Sequence, residues 1–243
     1  LVLLHEGGKP KDTARWLAQH HFTLHHHLRG AADMQRLARI LTGRGVGLVF
    51  SGGGARGFAH LGVVKALREV GMPIDLVGGN SMGAIIGAGV AHAWDEATLR
   101  AAFRRAFVET NPLSDYTVPL VSLVGGRKVS RLLREAFGDV AIEDLWLPYF
   151  CVTANLTRGV AAAHRSGPLW RWLRASVAIP GVLAPVFDGG DVHVDGGVIN
   201  NLPVDFMRDI GRGLVIGVDV VSDHTFTAKS EGADLPPLWR LML

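Results

Sequence analysis

Apolar and polar positions along the chain predict a repeated order of strand, glycine turn and helix. Apolar runs at 46–50 (VGLVF) and 74–79 (IDLVGG) are each followed by a glycine-rich turn and a segment with helical apolar spacing. Further buried strands are predicted at 148–156 (PYFCVTANL) and 213–220 (GLVIGVDV). Strands of this kind, separated by helices, are typical of a mostly parallel sheet covered on both faces. We therefore expect an α/β fold with three αβα layers.

The first 43 residues have a different pattern, and we expect a helical lead-in segment at 1–43 before a main domain at 44–243. Its second predicted helix places Met34, Leu37, Ala38 and Leu41 on one face, with arginines on another. A basic amphipathic helix can lie on a membrane. We expect this one instead to pack its apolar stripe on the main domain.

Composition narrows the class of protein. Hydrophobic residues make up 48% of the 243 positions and charged residues 19%, which indicates one globular domain. The net charge of +3 comes without a dense Lys/Arg run, so we expect no nucleic-acid partner. The single cysteine, Cys151, excludes an internal disulfide. No apolar run is long enough to span a bilayer and no signal peptide opens the chain, so we expect a cytoplasmic location. Because the chain begins without Met and stops within the pattern PPLWRLML, we interpret it as a piece of a longer protein.

Residues 79–83 read Gly-Asn-Ser-Met-Gly and fit the G-x-S-x-G pattern. A sharp strand-to-helix turn needs small flanking residues so that the backbone can fold back beneath the serine. The Ser81 hydroxyl would then lie at a helix N-terminus, where the dipole stabilises developing negative charge. We interpret Gly79, Asn80, Met82 and Gly83 as a nucleophile elbow around Ser81. The alternative is a tight turn in which the serine is only an N-cap.

Residues 52–57 read Gly-Gly-Gly-Ala-Arg-Gly and also fit the dinucleotide fingerprint G-x-G-x-x-G. That fingerprint needs an acidic residue at the end of the second strand, whereas Asp75 lies at its start. Successive glycine amides before a helix also form an anion-binding nest. We therefore prefer an oxyanion hole, formed by Gly52, Gly53, Gly54, Ala55, Arg56 and Gly57.

Spacing alone does not identify the residue that takes the proton of Ser81. Four histidines follow Ser81, namely His92, His164, His193 and His224. Only His224 also follows the segment HVDGGVINNLP, as the order of a hydrolase triad requires. Asp195 precedes Gly196 and Gly197, which allow close approach to another loop, and a desolvated carboxylate gains basicity. An Asx-turn aspartate in a hairpin fits the same letters, and spacing leaves both open.

Several segments together resemble the patatin-like phospholipase family, and within it the neuropathy target esterase branch. They are SGGGARGFAHLGVVKAL, GGNSMGA, RASVAIPGVLAP and VDGGVINNLPVD. The resemblance implies a Ser–Asp dyad of Ser81 and Asp195 without histidine, with the glycine loop as oxyanion hole. It also implies hydrolysis of phospholipid or lysophospholipid acyl esters without a cofactor or metal. Gly197 stands where many patatins have alanine.

From this resemblance we expect a serine acyl hydrolase that contacts a membrane peripherally, at the inner face. The alternatives are a dinucleotide-binding protein and a membrane scaffold without activity. We further expect an acyl channel lined by Trp170, Trp172, Ile179, Val182 and Leu183. The histidine-rich stretch at 20–27 is interpreted as a polar surface segment rather than a metal tract.

Overall fold

The computed structural model describes residues 1–110, 112–117 and 122–221. Its centre is a seven-stranded sheet in the order β11-β3-β4-β6-β10-β9, with β7 on the other edge of β6. Pairings from β11 through β3 and β4 to β6 are parallel, and those of β7, β9 and β10 are antiparallel. The strands are β1 (Val2–Leu4), β2 (His26–Leu28), β3 (Gly45–Phe50), β4 (Leu76–Asn80), β5 (Ser122–Val124), β6 (Tyr149–Asn155), β7 (Val160–His164), β8 (Gly181–Leu183), β9 (Val186–Asp188), β10 (Asp191–Asp195) and β11 (Gly213–Val218).

Helices cover both faces of this sheet. They are α1 (Thr13–Leu17), α2 (Ala31–Leu41), α3 (Ala59–Glu69), α4 (Ser81–Ala91), α5 (Glu96–Phe103), α6 (Arg127–Phe137), α7 (Leu169–Ser176) and α8 (Val204–Ile210). A 3-10 turn at Gly54–Phe58 precedes α3, and a π-helical turn at Arg104–Glu109 follows α5. Every strand and helix predicted from strong apolar spacing is present within a few residues of its expected bounds.

Alternation along the strands divides the core into two parts. On β3, Leu48 and Phe50 pack with α3, α4 and α5, whereas Val49 packs on the opposite face with Ile40 of α2 and Met207 of α8. Successive side chains of a strand point to opposite faces, so the sheet is buried on both sides. The three-layer α/β prediction is confirmed.

The lead-in segment is docked on the main domain, but not as expected. Of the predicted stripe on α2, Met34 is 55% exposed and Leu41 71%, while the buried face carries Asp33, Arg36 and Ile40. Arg36 and Asp33 form an ion pair of 2.6 Å, so polar side chains are accommodated beneath the helix. The expectation that the apolar stripe packs inward is wrong. The boundary at residue 43 stays a prediction.

The histidine-rich stretch is only partly on the surface. His26 and His27 are buried in β2, and His27 donates from Nε2 to the Glu143 carbonyl oxygen at 2.8 Å. Burial lowers the pKa of His26 and of His27 to about 4, so both rings are neutral at physiological pH. His20 and His21 are exposed. The polar-surface interpretation is therefore wrong for β2, in which His27 hydrogen-bonds the lead-in segment to the main domain.

Two strand ends meet on one edge of β6. Strand β4 runs parallel to β6 and ends with Asn80 opposite Val152. Strand β10 runs the other way and ends with Asp195 opposite Thr153, the next residue of β6. Because β7 occupies the other edge of the same β6 residues, β4 and β10 lie end to end on one side. The turn after each strand is thereby brought to the same place.

Candidate active site

Ser81 lies on a strained turn at that meeting point. It is the first residue of α4 and has φ 51°, a left-handed conformation that is unfavourable for a residue with a Cβ. Its close packing requires glycine on both sides. A Cβ at Gly79 would lie 2.8 Å from the Gly83 carbonyl carbon, and one at Gly83 would lie 2.7 Å from the Phe50 carbonyl oxygen. The backbone has the shape of the predicted elbow.

Asp195 lies beside this serine and is 6% exposed. Burial raises the pKa of its carboxyl above the ordinary 3.8, while hydrogen bonds from Ser81, the Gly197 amide and Asn80 act in the opposite direction. The Gly197 amide donates to Oδ1 at 2.8 Å and Asn80 Nδ2 donates to the same oxygen at 3.1 Å. The Ser81 side chain also hydrogen-bonds to this carboxylate. A desolvated carboxylate held in this way is a stronger base than a solvated one.

Asn80 holds the two turns together with two polar residues that the sequence motifs did not indicate, Ser176 and Asn201. The Ser81 amide donates to Ser176 Oγ at 2.9 Å, and Ser176 Oγ donates to the Val152 carbonyl at 2.7 Å. Asn80 Nδ2 also lies 3.1 Å from Asn201 Oδ1. Ser176 and Asn201 belong to the segments RASVAIPG and INNLP. Their only signal in the sequence is a polar residue within these otherwise apolar segments.

The glycine loop offers fewer free amides than predicted. The Gly52 amide donates to the Asn201 carbonyl at 3.2 Å, and the Arg56 amide donates to the Gly53 carbonyl at 3.0 Å. Gly57 lies within the 3-10 turn. Within the described ranges, the amides of Gly53, Gly54 and Ala55 have no partner. These three amides are therefore the members of the predicted oxyanion hole that are free to bind an anion.

An apolar pocket of about 280 Å³ opens beside the serine. Gly54, Ala55 and Ser81 line one part of it, and side chains of α4, α5 and α6 line much of the remainder. Of the five predicted channel residues only Ile179 and Leu183 line it. The prediction is wrong for Trp172, which stacks on His164 at 3.6 Å, and for Trp170, which lies under the Arg134 guanidinium at 3.8 Å. Val182 does not line it either.

No described histidine contacts the serine. The His193 ring is bonded through Nδ1 to Thr153 Oγ1 at 2.9 Å, and Thr153 Oγ1 also lies 2.7 Å from His164 Nε2. Burial lowers the pKa of His92, His164 and His193, so these rings favour the neutral form. His224 lies outside the described residues.

The dinucleotide alternative finds no support at the second strand. The Asp75 carboxylate is buried and accepts a 2.7 Å hydrogen bond from Arg39 and a 3.0 Å bond from the Val46 amide. The Asp75 carboxylate is therefore already hydrogen-bonded, and it lies immediately before the start of β4, far from the glycine loop. Across the described ranges no cluster of three or more potential ligands could hold a metal ion, and no helix could cross a membrane.

The central sheet is mostly parallel, and Ser81 lies on a strained strand-to-helix turn beside a buried carboxylate. This arrangement places the chain in the broad α/β class. A model described as patatin-like phospholipase matches residues 48–208. The chain belongs to the patatin-like phospholipase family.

Full-length relatives carry similar segments. Neuropathy target esterase sws of Drosophila melanogaster is 37% identical over 99% of this chain, and human patatin-like phospholipase domain-containing protein 6 is 39% identical over the same share. Lysophospholipase nte1 of Emericella nidulans is 41% identical over 86% of the chain. The chain spans only 20%, 20% and 14% of these relatives. The crystal structure of VipD from Legionella pneumophila is similar over 70% of this chain and 49% of its own, with 17% identity and a TM-score of 0.49.

Proposed function

We propose that this domain hydrolyses carboxylic acyl esters of lysophospholipids and phospholipids through Ser81 and Asp195. Ser81 Oγ attacks the acyl carbonyl while Asp195 takes its proton. The amides of Gly53, Gly54 and Ala55 donate to the oxyanion of the tetrahedral intermediate. Collapse of the intermediate expels the glycerol oxygen, which receives the proton from Asp195. Water then attacks the acyl-enzyme by the same steps, releasing the fatty acid and restoring both side chains.

The single observation that carries this proposal is the meeting of a hydroxyl, a buried carboxylate and free amides at one apolar pocket. Asp195 lies within hydrogen-bonding reach of Ser81, and burial raises the pKa of its carboxyl. The pocket is lined by aliphatic and aromatic side chains, which suits a fatty acyl chain. The names of the relatives, neuropathy target esterase and lysophospholipase, support the same substrate class.

Covalent labelling tests the nucleophile. A fluorophosphonate probe should modify the folded domain, and peptide mapping should place the label on Ser81. Ser81→Ala should abolish both labelling and ester hydrolysis with little effect on the fold, because it removes one oxygen atom. NAD(P)H binding, measured in parallel, should be undetectable. Labelling at another serine, or a folded Ser81→Ala protein with normal turnover, would refute the assignment.

Substrate class is tested by product release. With 1-acyl-lysophosphatidylcholine the domain should release fatty acid faster than it releases acetate from acetyl esters, because an acyl chain gains binding in the transition state from the apolar pocket. A strict preference for acetyl esters would contradict a lipid substrate.

We also propose that the face around the pocket mouth contacts the membrane. Ile179 and Leu183 line the pocket, and Ile179 is 43% exposed. Leu183 of β8 pairs with Val124 of β5, and Val124 bridges to Tyr116, so Leu123 and Tyr116 belong to a small sheet whose other strand lines the pocket. Tyr116 is 77% exposed and Leu123 41%. On α6, which lines the pocket, Arg127 and Arg131 are exposed. Exposed apolar groups beside arginines suit an anionic lipid surface.

Vesicle sedimentation tests this contact. Binding to vesicles that contain phosphatidylserine should weaken in Tyr116→Ser/Leu123→Ser. The matched control Met34→Ser/Leu41→Ser removes equally exposed apolar side chains from α2 and should bind normally. Weaker binding in the control alone would indicate that α2, and not the pocket mouth, contacts the membrane. The proposal places the domain on the cytoplasmic side of the membrane.

A further inference from the structure

One face of α4 forms a row that leads away from the serine. Ser81, Ile85 and Gly89 are spaced four residues apart and therefore lie on one side of the helix, one turn after another. Ser81 and Ile85 both line the apolar pocket. At a rise of about 1.5 Å per residue, Gly89 lies about 12 Å from Ser81 along the helix axis. The pocket follows this row.

The row ends under an indole ring. A Cβ added to Gly89 would lie 2.9 Å from Trp94 Cε3 and 2.6 Å from Leu99 Cδ2, so these side chains fill the space above the glycine. The Trp94 ring is stacked on Phe137 of α6, with centroids 4.7 Å apart and planes 9° apart. Both rings also line the pocket. Together they close it at the end opposite Ser81.

This end wall is held in position by its backbone. The Trp94 amide donates to the Gly89 carbonyl at 3.0 Å, and Arg68 Nη2 donates to the Trp94 carbonyl at 2.9 Å. Phe137 is 6% exposed, so its ring is fixed by the core. Trp94 is half-buried, so its indole ring separates the pocket from solvent.

We infer that Trp94, stacked on Phe137, sets the length of the acyl chain that the pocket accepts, an inference that rests on the proposed ester hydrolysis. A C–C bond of about 1.5 Å advances an extended chain by roughly 1.3 Å, so 12 Å holds an acyl group of about ten carbons. Each methylene that enters the pocket raises kcat/KM by about fourfold, since apolar burial strengthens transition-state binding. Methylenes beyond the wall bring no such gain.

The test is a chain-length profile. kcat/KM is measured for p-nitrophenyl esters that bracket the calculated length, from about four to about sixteen carbons, at a fixed fraction in neutral detergent micelles. The wild-type profile should rise and then break near ten carbons. In Trp94→Ala the break should move by two or more carbons, so that its rate relative to wild type is roughly tenfold higher for long esters than for short ones. Trp94→Leu keeps an apolar side chain in case the alanine variant is unstable, and it should shift the break in the same direction.

Trp170→Ala is the matched control, because it removes an indole that lies outside the pocket and stacks with Arg134. Its break should stay at the wild-type position. A break that does not move in either Trp94 variant, or that moves equally in Trp170→Ala, overturns the assignment of the end wall. Loss of all ester hydrolysis in the wild-type protein would instead overturn the proposed function itself.

Discussion

Ser176→Ala removes one hydroxyl that lies behind Ser81 and does not line the apolar pocket. Ser176 is fully buried and accepts from the Ser81 amide at 2.9 Å while donating to the Val152 carbonyl at 2.7 Å. It therefore connects the strained turn to the middle of β6. Ser176 is a positioning residue, and its loss should change the placement of the nucleophile.

The size of the effect follows from these contacts. Two buried backbone groups lose a partner, and each unsatisfied group costs about 1–3 kcal/mol, so the free energy of unfolding should fall by about 2–4 kcal/mol. The left-handed conformation of Ser81 stores strain of about 1–3 kcal/mol, which the turn can release once its amide is no longer held. A displacement of Ser81 Oγ by about 1 Å would lower kcat roughly a hundredfold. KM should change little because the pocket is untouched.

The assay combines kcat and KM on a soluble ester with chemical denaturation. Ser122→Ala is the matched control, since Ser122 is also buried and its Oγ donates to the Val124 carbonyl at 3.0 Å. The control should lose stability without a large change in kcat. If Ser176→Ala is destabilised to a similar degree and keeps the kcat of the wild type, the turn is not held by Ser176.

Four further predictions concern the dyad and the loop. Asp195→Asn should be as inactive as Ser81→Ala. Because the Asp195 pKa is raised above 3.8 in the folded protein, its carboxylate destabilises the fold once pH rises through that pKa. The Tm of Asp195→Asn at neutral pH should therefore equal or exceed that of wild type, and a lower Tm would contradict this. Asn80→Ala removes a hydrogen bond that lowers the Asp195 pKa, so the acid limb of kcat/KM should move to higher pH in a pH–rate profile, and an unmoved limb would count against the bond. Gly54→Val places a side chain at φ 53° and should lower kcat about a hundredfold in steady-state assays, whereas an unchanged kcat would remove Gly54 from the oxyanion hole. His193→Gln should keep most activity, and a folded but inactive variant would favour a histidine mechanism.

Strong apolar spacing was sufficient to predict the parallel half of the sheet. Strands β3 and β4 and helix α4 are buried over their whole length and consist mostly of apolar residues and glycine, as buried parallel strands and a buried helix require. Spacing alone does not decide the role of β10, because DGGDVHVDGG fits a hairpin and a catalytic turn equally well. In the structure β9 and β10 form the hairpin, and Asp195 ends its second strand beside Ser81.

The face of α2 could not be predicted from spacing. A helical apolar stripe is normally buried, but here Asp33 neutralises Arg36 beneath the helix and Arg36 also donates to the His27 carbonyl. Spacing shows which residues share a face, and it does not show which polar residues will find partners. The same limit applies to the site, where the partner of Ser176 is a backbone amide 95 positions away.

Because β4 and β10 meet end to end on β6, the distance between the turns that follow them does not depend on the length of the chain between them. Asn80 and Asp195 are 115 positions apart, yet their separation is set by two consecutive residues of β6. Insertions or deletions in the helices α5 and α6, which line the pocket, would reshape it without altering the distance between Ser81 and Asp195. One residue inserted into β6 at this point would instead move Asp195 by about 3.3 Å and turn it to the other face. Mutation can therefore vary substrate range through α5 and α6 far more freely than it can vary the sequence of β6.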